Sequence, residues 1–186
     1  AIQLQQGGLT MTGGTITGNS AREGGGIYAY SNYNGSEIVF SGGVVSNNVA
    51  TSGNGGGGAY IGYIHSEFVE GNNGEVTTFS GNTANQMGGG VFLIGNEHYI
   101  YRAVFTGNKS YRTGYYYDGG AVYIQSGTTA HMKNVYVSGN TDSDKADNNY
   151  TAVAVCPTGE LAVYELDGLL AVNNNGKVDI GVVAGG

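Results

Sequence analysis

The sequence predicts an all-β protein, a right-handed parallel β-helix (solenoid) of about six coils, and three observations carry that expectation. Two short phrases return in the same order along the chain. The residues around them alternate apolar and polar at the period of a strand. The composition, with 36 Gly, 15 Tyr and only 1 Pro, suits short strands joined by tight turns and has no sustained helical period.

The first copy of the paired phrases is Thr15-Ile16-Thr17-Gly18-Asn19, followed by Gly24-Gly25-Gly26-Ile27-Tyr28-Ala29. The second is Val44-Val45-Ser46-Asn47-Asn48 with Gly56-Gly57-Gly58-Ala59-Tyr60-Ile61, and the third Thr78-Phe79-Ser80-Gly81-Asn82 with Gly88-Gly89-Gly90-Val91-Phe92-Leu93. Val104-Phe105-Thr106-Gly107-Asn108 pairs with Gly119-Gly120-Ala121-Val122-Tyr123-Ile124 as the fourth. In the fifth, Tyr136-Val137-Ser138-Gly139-Asn140 is kept and Tyr150 to Val155 replaces the glycines; the sixth, Leu170 to Asn174 with Ile180 to Val183, is degenerate.

The aromatic position after the glycines recurs at spacings of 32, 32 and 31 residues, whereas the asparagines recur at 29, 34, 26 and 32. That contrast describes coils with one rigid sheet and variable turns. Each coil holds about three strand phrases, which in the second are Glu37 to Ser41, Val44 to Asn48 and Gly58 to Tyr63. Ile27, Ala59, Val91 and Val122 form one expected inward stack, and Ala29, Ile61, Leu93 and Ile124 another. A lone coil exposes its apolar residues, so coils stack about 4.8 Å apart and share a core. Stacked asparagine amides hydrogen-bond from coil to coil and tolerate a left-handed corner; the glycines allow sharp corners or close backbone approach.

The formal charge is −7, and the seven basic residues are scattered singly. Nothing here neutralises a row of phosphates, so nucleic acid is not an expected partner, and no apolar run has the length of a membrane span. The single cysteine, Cys156, reads as a small buried hydrophobe. The expected organisation is one β-helix domain over residues 1–186, a segment of a longer exported protein.

The phrases resemble the repeats of polymorphic outer-membrane-type surface proteins, whose signatures are Gly-Gly-Ala-(Ile/Leu/Val) and Phe-x-x-Asn. Gly119-Gly120-Ala121-Val122 matches the first and Gly57-Gly58-Ala59-Tyr60 nearly does; Phe79 to Asn82 and Phe105 to Asn108 match the second. Elsewhere Ile16, Val45 or Val137 replaces the Phe, and Gly26 or Gly90 the Ala. The stretch Gly14 to Ala21 is also similar to repeats of large bacterial surface proteins with pectate-lyase-like β-helices. The resemblance spans residues 9 to 155 and implies an exported β-helical passenger or stalk, often adhesive, with no family catalytic residue to carry over.

For function, the expectation is a non-catalytic extracellular or cell-surface module, adhesive or structural, without cofactor or metal. Its expected partner is a host-cell or matrix glycan or protein, contacted through tyrosines. Tyr28, Tyr60, Phe92 and Tyr123 alternate with the inward stacks and are expected to face outward as a ladder, with cross-coil packing as the plainer reading. Tyr111, Tyr115, Tyr116 and Tyr117 lie in a long insertion suited to contact. Asp142 to Asp147 has alternating oxygen ligands but lacks the glycine and glutamate of a calcium loop, and reads as a solvated loop. His65, His98 and His131, spaced by 33 and 33, read as one turn ladder. The alternatives are a polysaccharide-degrading enzyme, for which the acidic residues look out of register, and a filament subunit built by end-to-end association of strand edges.

Overall fold

In the computed structural model the described residues are 1–32, 35–95, 97–111 and 119–142, followed by the strands Val153–Val155, Glu160–Val163, Val172–Asn173 and Ile180–Val182. All strand pairing among them is parallel, between residues about one coil apart, and no helix occurs. Among the described residues the protein is a β-solenoid of about 4 turns, where six were expected. The shortfall falls after Asp142, where only isolated strands are described; those strands still extend the ladders.

Three sheets run along the column. A seven-stranded sheet carries the post-glycine segments, among them Ile27–Tyr30, Ala59–Gly62, Val91–Ile94 and Val122–Ile124. Its register places Ile27 on Ala59, then Val91, then Val122, and Ala29 on Ile61, Leu93 and Ile124, so both expected inward stacks form, fully buried. A ten-stranded sheet branches at Glu37–Ser46, a continuous strand that pairs with His65–Phe68 at one end and Thr77–Ser80 at the other. The expected break after Ser41 is a bulge at Gly42 and Gly43, where Thr77 Oγ1 accepts from Gly42 N at 2.9 Å and donates to Gly42 O at 3.2 Å. The third sheet consists of two-residue strands directly after each asparagine, such as Val49–Ala50, Thr83–Ala84 and Lys109–Ser110. Two residues show no alternation, so the sequence pattern does not reveal this sheet.

Asn19, Asn48, Asn82, Asn108 and Asn140 form a single column, and the last four are fully buried. Asn82 shows the repeating unit. Its backbone N and its Nδ2 both donate to Asn108 Oδ1, at 3.0 and 2.9 Å, and Nδ2 donates again to Val45 O at 2.9 Å. Its own Oδ1 accepts from Asn48 N and Nδ2, each at 3.0 Å. The left-handed corner falls one residue earlier than expected, on Gly18, Asn47, Gly81, Gly107 and Gly139. The asparagine amide is thereby left to bond up and down the stack.

The glycine phrase divides its work. Its first glycine, as at Gly88 (φ 66°), makes the turn. The second permits close backbone approach: a Cβ on Gly89 would meet the Gly120 carbonyl oxygen and, at 2.5 Å, the Lys109 backbone. Behind these corners the core is aliphatic and aromatic, with Phe79 stacked on Phe105 at 5.4 Å and Phe40 against Phe68 at 4.7 Å.

Replacing Asn82 with Ala strips the acceptor from two buried donors on Asn48. Its denaturation midpoint should fall by the equivalent of about 1–3 kcal/mol, against no shift for an exposed Thr10→Ala control. Gly89→Ala should cost about 1–3 kcal/mol by overpacking. Gly13→Ala, where a Cβ meets nothing within 4 Å, should leave the midpoint unchanged. Equal midpoints for the two glycine variants would contradict close rung contact at Gly89.

Candidate functional site on the outer faces

The outward ladder forms as a stack. Tyr28 lies on Tyr60 at 5.1 Å, Tyr60 on Phe92 at 5.0 Å and Phe92 on Tyr123 at 5.2 Å, all near parallel. Rings at that separation leave no gap for a ligand, and their edges are packed by Met87, Tyr30 and Ile94. Tyr60, Phe92 and Tyr123 are only 4%, 1% and 5% exposed, so the expectation of an accessible ladder is corrected. Burial accordingly raises the Tyr60 hydroxyl pKa far above its ordinary value, with the Glu23 charge adding to it. Tyr28, at the end of the stack, is half-buried and lines a cleft of about 480 Å³ with Arg22 and Glu23.

Of the insertion tyrosines, Tyr111 is 41% exposed, with the Lys109 ammonium 4.8 Å above its ring. Tyr115, Tyr116 and Tyr117 lie outside the described residues, as do Cys156 and the 143–147 part of the acidic run. Asp142 itself is no solvated loop residue: it sits fully buried in strand Thr141–Asp142, paired with Ser110.

The histidines do not share a column. Between the strands that carry His65, His98 and His131 the offset is 32 residues, as in Ser66 to His98 and Tyr99 to His131, so a spacing of 33 shifts each histidine by one position. His65 pairs with Glu37 on the outer face, His98 with inward-facing Ser66, and His131 with Tyr99 one outward column away.

His98 is fully buried. Its Nε2 lies 2.7 Å from Gly95 O, a pure acceptor, so Nε2 carries the proton and Nδ1 accepts from the Ser66 hydroxyl at 2.8 Å. Burial lowers its pKa to about 4, against the raising effect of the Gly95 bond.

The outer face of the same strands gathers the described residues with the richest chemistry. One column runs Glu37, His65 and, by the same register, Glu97; its neighbour runs Val39, Glu67, Tyr99, His131. His65 Nε2 lies 3.1 Å from Glu67 Oε1 and 3.9 Å from Glu37 Oε1. His131 Nε2 lies 2.7 Å from Glu97 Oε1, and its ring stacks on Tyr99 at 4.7 Å. Tyr99 also packs against His65 at 5.4 Å. Hydrogen bonds from the Tyr99 side chain and then from His131 hold the Glu97 carboxyl below its usual range. A cleft of about 460 Å³ lies beside this face, lined by Val39, Glu70 and Glu75. Glu37, Glu67 and Glu97 thus gather on one face although no two of them are register partners. The signal was present as His65-Ser66-Glu67, two residues on one face of a strand.

The fold defines a parallel β-solenoid repeat protein. Residues 13–30 match the model of the Chlamydia polymorphic membrane protein repeat, and the chain is a β-helix repeat protein similar to polymorphic membrane proteins. A repeat of this class points to a bacterial surface or outer-membrane protein. No curated protein and no solved structure matches the chain.

The neutral, buried His98 predicts a pH dependence. The unfolded imidazole takes up a proton near pH 6.5 and the folded one only near pH 4. Stability is therefore full above pH 6.5 and declines as the pH falls towards 4, by about 3 kcal/mol in all. Denaturant midpoints across that window, with His98→Gln as reference, should show the excess slope in the parent protein alone.

Proposed function

We propose that this chain is a non-catalytic extracellular module of a bacterial surface protein, adhesive or stalk-like. It contacts host-cell or matrix glycans or proteins through exposed tyrosines. The observation that carries this reading is that the exposed large hydrophobic side chains among the described residues, Tyr63, Tyr111 and Tyr136, are all tyrosines, each 41–42% exposed on a rigid stack. A phenol ring offers broad apolar contact and one polar handle at low entropic cost. The repeat match supports the surface setting.

Replacing Tyr63, Tyr111 and Tyr136 together with Ala should reduce binding in glycan-array and cell-attachment assays without changing the thermal midpoint. Raising salt should change attachment little, because contact runs through rings. Unaltered attachment by the triple variant would sink the assignment to these three rings.

A polysaccharide-degrading enzyme has one observation in its favour: carboxylate oxygens of Glu37 and Glu67 lie within 4.8 Å of each other, a close carboxylate pair, though closer than the roughly 5–5.5 Å of retaining glycosidases. That reading predicts turnover of uronate polymers that Glu67→Gln abolishes. Such turnover by the purified chain would overturn the non-catalytic reading.

A further inference from the structure

The geometry points to a divalent transition-metal site, Zn²⁺ by preference, formed by Glu37, His65 and Glu67 on the outer face of the ten-stranded sheet. The ligand atoms of the three side chains all lie within 4.8 Å of one another, with His65 Nε2 at 3.1 and 3.9 Å from the two carboxylates. An ion held tetrahedrally at about 2.0–2.2 Å separates neighbouring ligand atoms by about 3.3 Å. Small rotations of the two glutamates bring the trio to that spacing.

The backbone presents these ligands without loop freedom. Glu37 and His65 face each other across paired strands, and His65 and Glu67 are two apart on one strand, on the same face. The Tyr99 ring against His65 restricts the imidazole. Ligands on strands with packed neighbours are the arrangement that metal sites require.

The charge also calls for a cation. Among the described residues, the ion pairs of Glu37 and Glu67 both go to His65, while Arg102 is committed to Glu70 at 3.1 Å. A proton on His65 offsets one of two carboxylates, whereas a divalent ion on the neutral imidazole offsets both. One nitrogen and two oxygen donors suit zinc and its late first-row neighbours. Ca²⁺ takes six to eight oxygens and Mg²⁺ keeps a near-octahedral shell, so neither fits this trio as well. The side chains are 36–51% exposed, which leaves the remaining coordination position to water or to a group on another molecule. Because Glu37 and His65 lie on successive coils, the ion also ties one rung to the next.

The test uses the whole chain in a Cys156→Ser background, stripped with chelator and titrated with Zn²⁺ by calorimetry and with Co²⁺ by visible absorption. The expected result is one saturable class of site at micromolar or lower concentration, with the absorption of low-coordinate Co²⁺. His65→Gln and Glu67→Gln should each weaken binding by roughly tenfold or more, whereas His131→Gln should leave it unchanged. The metal-free variants should melt at the parent temperature because these side chains are on the surface, and Zn²⁺ should raise the midpoint of the parent only. Absence of saturable uptake below about 100 µM, or affinity that survives both His65→Gln and Glu67→Gln, would overturn the site.

Discussion

A buried asparagine oxygen that accepts two hydrogen bonds from the coil before it sets the terms for the rest of this solenoid. Asn82 and Asn108 each receive a backbone N–H and a side-chain N–H on one Oδ1, and each returns the same pair to the next coil. Such a chain works only if successive corners lie directly above one another. That alignment brings the second glycines into backbone contact, allows the two-residue sheet to pair, and holds the apolar columns in register. Coil lengths then vary only in the loops, which is why asparagine spacings between 26 and 34 still end in one column.

What could be read from the sequence was whatever returns with the rigid sheet. The inward stacks, the asparagine column and the glycine corners recur as phrases, so each copy supports the others. The histidines show the limit of spacing alone. A step of 33 against a structural step of 32 looks regular in the sequence, yet it carries His65, His98 and His131 from an outward column to the core and back out to another. Strand alternation makes a one-residue slip a change of face. Only the pairing of Ser66 with His98 exposes the slip.

The cluster of Glu37, His65 and Glu67 was hidden for a related reason. Glu37 precedes His65 by 28 residues, shorter than the 32 that joins Ser66 to His98, because the length of the intervening coil differs. A non-repeating contact has no second copy to reveal it. Function on a repeat scaffold concentrates in such departures, where one coil differs from its neighbours.

The two outward faces make this distinction physical. On the seven-stranded sheet, rung spacing near 5 Å falls in the range of offset ring stacking, so the aromatic column closes on itself and its burial stabilises the stack. On the ten-stranded sheet the same spacing separates a carboxylate from an imidazole, and their polar atoms stay directed at solvent and at each other. Like-on-like packing accounts for the first column completely. It does not account for Glu37, His65 and Glu67, because two carboxylates flank a single imidazole there and unlike neighbours do not repeat the stabilisation of a like column. Such a polar cluster on an otherwise repetitive wall is suited to hold a ligand, and a cation is the ligand its charge selects.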